Sequence, residues 1–271
     1  MSAESMQQPI RLSPVFLEKV WGTTKLEPWF PDSQVPIGEV WFQAGRELPL
    51  LVKLIFTSDR LSIQVHPADG EAAANGKTEM WYILDADPVA NIALGFRKPI
   101  TRERLRDSAK TGDIEALVKL FPVRAGETYF TPAHTVHAIG AGITLCEIQQ
   151  TSDITYRLWD YGRPREIHVE QAVPICDLGV HPGAAQPKLL ADGSEELARC
   201  SYFVTELVKL VPGERRKPEP RTCQIWIALE GEGAIGKWQY RRSEAWLLPE
   251  SGEQPEICAA SPSKFLRTYV P

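Results

Sequence analysis

Positive charge is not in excess in this chain. Thirty Lys and Arg stand against 35 Asp and Glu, for a net charge of −5. That balance gives no sequence-independent attraction for nucleic acid or an anionic membrane, so neither is expected as a partner. Any phosphate the chain meets must be held by a few locally placed cations. Cysteine is scarce. Its five positions (Cys146, Cys176, Cys200, Cys223, Cys258) are odd in number and never spaced as CxxC. This argues against a disulfide framework and a cysteine zinc site, and for free thiols in a reducing compartment. No run approaches the ~18 apolar residues that cross a bilayer. The opening MSAESMQQPI is polar and lacks a basic-then-apolar leader pattern, so the expected location is the cytoplasm. Histidine is scarce too, and all five (His66, His134, His137, His168, His181) precede residue 182. A second unit downstream would have no imidazole with which to bind a metal.

What is present is a β pattern. The 271 residues, 43% apolar and 24% charged, suffice for one large domain or two ordinary ones. Strand-length apolar runs at 39–42, 50–56, 61–65 and 80–84 are bounded by Gly, Pro, Asp and Ser. A second cluster follows at 127–130, 136–139, 144–149 and 154–158. Between them, Thr101 can cap one helix and Asp113 another, in which Ile114, Leu117, Val118 and Phe121 keep helical spacing. The segment 161–198 reads as a connection with a short helix at 166–172, and strands return at 202–211, 222–229, 245–248 and 265–270. The reading is a mainly β protein. A double-sheet jelly-roll barrel over residues 1–165 carries a helical insert at about 100–121. A linker at 166–199 and a smaller, similar unit at 200–271 follow.

Three segments at strand ends carry metal-ligand chemistry. In Gln64-Val65-His66-Pro67 the two polar side chains are i and i+2, hence on one face, and Pro67 ends the ladder. Gly76-Lys77-Thr78-Glu79-Met80-Trp81-Tyr82 offers Glu79, and the stretch around Val136-His137-Ala138-Ile139-Gly140 supplies His137. A lone histidine in a β protein is usually structural, and a lone glutamate at a strand end is usually a surface charge; the ordered set is what raises the odds. Two imidazoles, a carboxylate and an amide oxygen suit Zn²⁺ with an exchangeable position, although Fe²⁺, Mn²⁺ or Co²⁺ also fit. His134 lies three residues before His137 and is read as a bystander.

These segments resemble the class I mannose-6-phosphate isomerases, in their short bacterial form. The likeness begins at Val20-Trp21-Gly22. It runs through Ile37-Gly38-Glu39-Val40-Trp41, Leu51-Val52-Lys53-Leu54-Ile55 and Leu61-Ser62-Ile63-Gln64-Val65-His66-Pro67. GKTEMWYIL, VHAIG and EIQQTSDITYR continue it, and it closes on Asp160-Tyr161-Gly162-Arg163. Specific motifs cover about residues 15 to 170, whereas the last hundred residues resemble the family loosely. The resemblance implies a cupin fold and one zinc ion per chain, with ligands at Gln64, His66, Glu79 and His137. It also implies a hexose-phosphate substrate and reversible isomerisation of mannose 6-phosphate and fructose 6-phosphate.

Aldose–ketose isomerisation moves a proton between C1 and C2 and stabilises an enediolate. Lys77, Glu147 and Asp153 are the candidates for proton transfer. Arg157, in ITYRLWDYGR, points into a polar cavity if Tyr156 and Leu158 face the other way, and there suits a phosphate or an enediolate. Its plain alternative is a salt bridge on the barrel exterior. Lys53 alternates in phase with Leu51 and Ile55, so it is interior or snorkelling at an edge. The resemblance puts Lys53 and Ser62 near the phosphate. Two other readings keep the fold: a cupin metalloenzyme on a different small molecule, and a non-catalytic sugar-binding cupin. Monomer and homodimer both remain open.

Overall fold

The computed structural model describes residues 8–71 and 75–271; the first seven residues of the polar opening stretch lie outside them. The first half supplies β1 (Ile10–Arg11), β2 (Ser13–Thr23), β3 (Ile37–Gln43), β4 (Leu50–Thr57), β5 (Ile63–Val65), β6 (Glu79–Ala86) and β7 (Asn91–Phe96). Two helices, α1 (Arg102–Thr111) and α2 (Ile114–Leu117), precede β8 (Val118–Pro122), β9 (Thr128–Thr131), β10 (His137–Ile139), β11 (Ile143–Gln150) and β12 (Tyr156–Trp159). A six-stranded antiparallel sheet, β2-β3-β4-β11-β6-β9, faces a five-stranded one, β12-β5-β10-β7-β8.

After α3 (Val169–Ile175), the second half adds β13 (Lys188–Leu189), β14 (Glu195–Arg199), β15 (Val204–Leu210), β16 (Arg215–Arg216) and β17 (Thr222–Glu230). It ends with β18 (Glu232–Ile235), β19 (Trp238–Arg241), β20 (Ala245–Leu247), β21 (Ile257–Ala259) and β22 (Ser263–Val270). These form a seven-stranded sheet, β1-β20-β17-β22-β15-β14-β13, and a four-stranded one, β16-β21-β18-β19. The chain's first strand thus belongs to the C-terminal sheet, with Ile10 opposite Leu247.

Period-two alternation sorts the side chains into layers. On β4, Val52, Leu54 and Phe56 leave the barrel to join Leu207, Ile225, Ile227 and Leu266 in a core between the two large sheets. Ile55 points inward, with Trp81, Ile83, Leu145, Ile92 and Leu94. Beyond the five-stranded sheet, Val65, Ala138 and Leu158 pack under Leu105, Ala109, Ala172 and Val173 of the helices. A further core, with Trp226, Trp246 and Phe265, lies between the seven-stranded and four-stranded sheets.

One expectation fails locally. The helix starting at Asp113 stops at Leu117 instead of reaching Phe121, because Val118–Pro122 pairs with β7, Ile92 opposite Phe121 and Ala93 opposite Leu120. Completing the sheet edge outweighs the helical periodicity. α1 is capped as read: the Thr101 hydroxyl accepts from the Arg104 N–H at 3.2 Å, and Gly112 ends the helix at φ 88°.

Candidate metal centre at the barrel mouth

Toward one end of the first barrel, the inward positions change from apolar to charged. On β11 they run Ile143, Leu145, Glu147; on β6, Ile83, Trp81, Glu79; on β4, Ile55, Lys53. The opposite sheet does the same, with His137 directly across from Gln64 on β5, and Gln64 across from Arg157 on β12. His137, Gln64 and Arg157 therefore form one row across three strands. A cavity of about 280 Å³ opens here, and every residue lining it lies between positions 19 and 168.

His66, Glu79 and His137 are each 2% exposed or less, and their ligand atoms lie within 4.8 Å of one another. Nε2 of His66 is 3.7 Å from Glu79 Oε2, and Nε2 of His137 is 3.5 Å from Oε1. Each ring is fixed from behind. His66 Nδ1 donates to the Ile154 carbonyl at 2.8 Å, and His137 Nδ1 to the Thr135 carbonyl at 2.8 Å. Both Nε2 lone pairs are thereby left facing the carboxylate. Oε1 of Glu79 has no hydrogen-bond partner among the described residues, whereas Oε2 meets Lys77 Nζ at 3.0 Å. A buried carboxylate between two imidazole lone pairs is costly by itself, and separations of 3.5 and 3.7 Å from its oxygens to the two Nε2 atoms suit a divalent ion shared among them. The donor set fits a divalent cation. Gln64 joins through its amide, whose Nε2 is 3.3 Å from His137 Nε2, while Oε1 accepts from Ser62 Oγ at 3.0 Å. Presenting oxygen to an ion exchanges these two ends of the amide.

Two lysines, two glutamates and an aspartate surround this group. Lys77 Nζ lies 3.0 Å from Glu79 Oε2 and 3.1 Å from His66 Nε2. Glu147 Oε2 accepts from Trp81 Nε1 at 2.9 Å, and its Oε1 is 3.4 Å from Lys53 Nζ. Lys53 is 2% exposed, lies over the Trp41 ring, and has Glu39 and Asp153 each at 3.9 Å. Ion pairing and burial set the protonation states. Burial, with help from Lys77, keeps His66 neutral well below its ordinary range, and burial takes His137 down to about 4. Burial and the neighbouring Glu147 push Glu79 up to about 7, against the pull of Lys77. Burial works against the charge on Lys77, yet Glu79 and Glu147 outweigh it and raise its pKa. For Glu147 the burial penalty is likewise outweighed, by Lys77 and Lys53, so it stays ionised.

The structure thus brings Gln64, Glu79, His137, Lys77, Glu147, Lys53, Ser62 and Arg157 to one cavity mouth, with His66 against Glu79 and Lys77. Asp153 sits at its rim, with a side chain 65% exposed. His134 is elsewhere: its Nε2 meets Glu71 Oε2 at 2.6 Å, outside the ligand group. Sequence reasoning assigned no role to Lys19, Trp21, Glu39, Trp81, Thr155, Arg165 or His168, all of which line the cavity. Trp21, Glu39, Trp81 and Thr155 stand inside segments already singled out; Arg165 and His168 lie between β12 and α3, His168 within the short helix expected at 166–172.

A double-sheet β-barrel with a buried two-histidine, one-carboxylate group at its mouth is a cupin-like fold carrying a site that fits a metal ion. No protein-family model matches the chain. It is 34% identical over 241 residues to mannose-6-phosphate isomerase of Streptococcus mutans, covering 80% of this chain and 76% of that protein. The crystal structure of mannose 6-phosphate isomerase from Bacillus subtilis superposes with a TM-score of 0.87 at 26% identity, over 97% of this chain and all of the other. A zinc-bound mannose 6-phosphate isomerase shares the fold, with a TM-score of 0.78 at 15% identity over 97% of this chain and 99% of that one. The chain belongs to the mannose-6-phosphate isomerase family.

Proposed function

We propose that this chain interconverts D-mannose 6-phosphate and D-fructose 6-phosphate, using one zinc ion held by Gln64, His66, Glu79 and His137. The observation that carries the reading, beside the family membership, is Glu79: its carboxylate is 1% exposed, and its two oxygens face two imidazole Nε2 atoms. Zinc is favoured by the mixed N/O donors and by the zinc-bound relative in fold. When bound, the ion supplies Lewis-acid stabilisation of negative charge on the sugar oxygens.

The chain's own groups do the rest. Lys77 and Glu147, 3.9 Å apart, face the cavity as an acid–base pair for the C1/C2 proton. Arg157 presents a permanent charge for the enediolate oxygens. Asp153, at the rim, completes the set as a proton acceptor open to water. The low exposure of Lys53, Lys77, Glu79 and Glu147 excludes bulk water from the reacting atoms. Catalysis is assigned to the first barrel, and the free thiols support a cytoplasmic location.

The test is isomerase activity of the purified protein before chelation, after it, and after zinc is restored. Activity falls at least a hundredfold on chelation and returns with zinc, and Lys77→Met lowers kcat with zinc content unchanged. Bound zinc with no proton exchange on any hexose phosphate favours a non-catalytic sugar-binding cupin instead.

A further inference from the structure

Trp81 marks the level at which the interior of the first barrel turns from apolar to charged. It follows Glu79 by two residues on β6, so both side chains point inward, and it stands directly opposite Glu147 of β11. The side chain is fully buried and borders the cavity. A buried indole needs a partner for its one polar atom, and here Nε1–H donates to Glu147 Oε2 at 2.9 Å. The ring also stands edge-on to His137, with centroids 5.5 Å apart and planes at 71°. One rigid side chain thus touches an imidazole of the metal group and a carboxylate of the acid–base pair.

The hydrogen bond decides which way that carboxylate faces. Lys53 Nζ at 3.4 Å and Lys77 Nζ at 3.9 Å both approach the same oxygen of Glu147, Oε1. Two cations by themselves do not fix the group, because the terminal torsion of a glutamate is broad and its two oxygens are equivalent acceptors. A donor on the other side removes that freedom. The indole can supply it in a single direction, since Tyr129 lies opposite on β9 and Ile55, Ile83 and Leu145 pack around the ring. The bond is charge-assisted and correspondingly strong. With Oε2 held, Oε1 stays beside Lys77, facing the cavity.

We propose that Trp81 is a positioning residue for the isomerisation. It holds Glu147 by Oε2 so that Oε1 is presented to Lys77 and to the sugar, and it acts through that carboxylate rather than on the metal. This rests on the assignment of Glu147 to proton transfer made above. A ring that merely filled space would respond differently to two substitutions.

Trp81→Phe keeps an aromatic ring near His137 and removes the donor. Trp81→His removes more of the ring but restores an N–H, its Nε2 occupying the vertex of the five-membered ring where Nε1 stood. With mannose 6-phosphate, Trp81→Phe is expected to lower kcat roughly tenfold to a hundredfold, the range for a lost hydrogen bond to a charged group. KM and zinc content stay as in the parent. Trp81→His recovers part of that loss despite the smaller ring, whereas a space-filling role ranks the phenylalanine variant higher. In a Glu147→Gln background Trp81→Phe lowers kcat no further, because the group it positions has already lost its role. An unchanged kcat, an equal loss in that background, or a phenylalanine variant more active than the histidine one overturns the proposal. Loss of zinc from Trp81→Phe also overturns it, by placing the role at His137. Failure of both variants to fold does the same, by making Trp81 a framework residue. Glu147→Gln alone tests the premise separately: a kcat equal to the parent's ends the acid–base reading of Glu147, whatever the ranking at Trp81.

Discussion

His134 shows how far a single residue can be read. Its position in the sequence, three before His137, invites comparison with a ligand, yet a glycine would suit the backbone there better. The structure gives the reason: His134 has φ 75°, in the left-handed region that favours glycine. Its side chain turns out to Glu71 in a half-exposed pair, worth at most about 1 kcal/mol. The backbone preference is of similar size, so His134→Ala keeps the strain and loses the pair, whereas His134→Gly relieves the strain. The glycine variant is expected to be more stable than the alanine variant by about 1 kcal/mol in urea denaturation, the reverse of the usual order for these two residues. Equal or inverted stabilities would mean that the loop relaxes and the angle carries no cost. The grouping of His66, Glu79 and His137 was legible in the sequence, where chemistry and motif coincide. Arg165 and His168 were not legible, because what matters about them is proximity across a loop, which no local pattern encodes.

At the level of elements, alternation made most strands readable, since a strand with one face in a barrel and the other in a core repeats every second residue. The two kinds of miss have physical causes. β2 is long and shows only a weak gradient, half-buried positions alternating with exposed ones until Trp21 and Gly22. β8 is decided by its partner strand rather than by its own periodicity. The join between β10 and β7 also fixes the metal site, because His137 opens β10 and pairs with both Gln64 and Leu94. Gly140 closes that join, its N–H donating to the Asn91 carbonyl at 3.0 Å. A Cβ at this position would collide with that same oxygen, which is backbone and has no rotamer to escape through. Gly140→Ala is therefore expected to cost roughly 1–3 kcal/mol by the usual penalty for overpacking and to weaken zinc binding, since β10 has to shift against β7. Thermal melts with and without chelator measure both effects. An unchanged melting temperature would show that the strand pair yields at no cost, and His137 would then not depend on it.

The whole molecule carries a division of labour that its last hundred residues did not announce. They contribute no side chain to the cavity, yet they cover the outer face of the six-stranded sheet. Val40, Leu54, Phe56, Met80, Cys146 and Ile148 are each 1% exposed or less because the seven-stranded sheet lies on them. Re-exposing six such side chains would cost on the order of 10 kcal/mol at 1.5–3 kcal/mol each, comparable to the entire stability of an ordinary domain. A second tie reaches the site itself. Tyr202 OH donates to Asp69 Oδ2 at 2.9 Å, and Asp69 Oδ1 accepts from the Gly76 N–H at 2.6 Å and from Gln150 Nε2 at 3.0 Å. The C-terminal half thus holds Asp69, three residues after His66, and through it Gly76 beside Lys77. A fragment ending at residue 187 is expected to be recovered insoluble, or as an aggregate that binds hydrophobic dye, without zinc or isomerase activity. Supplying residues 188–271 as a separate chain during refolding should restore part of the activity, because the two halves meet across a core rather than a linker. A soluble fragment with full zinc content would overturn this reading: the first barrel would then be a self-sufficient catalytic unit, and the large sheet beside it would serve something other than its stability.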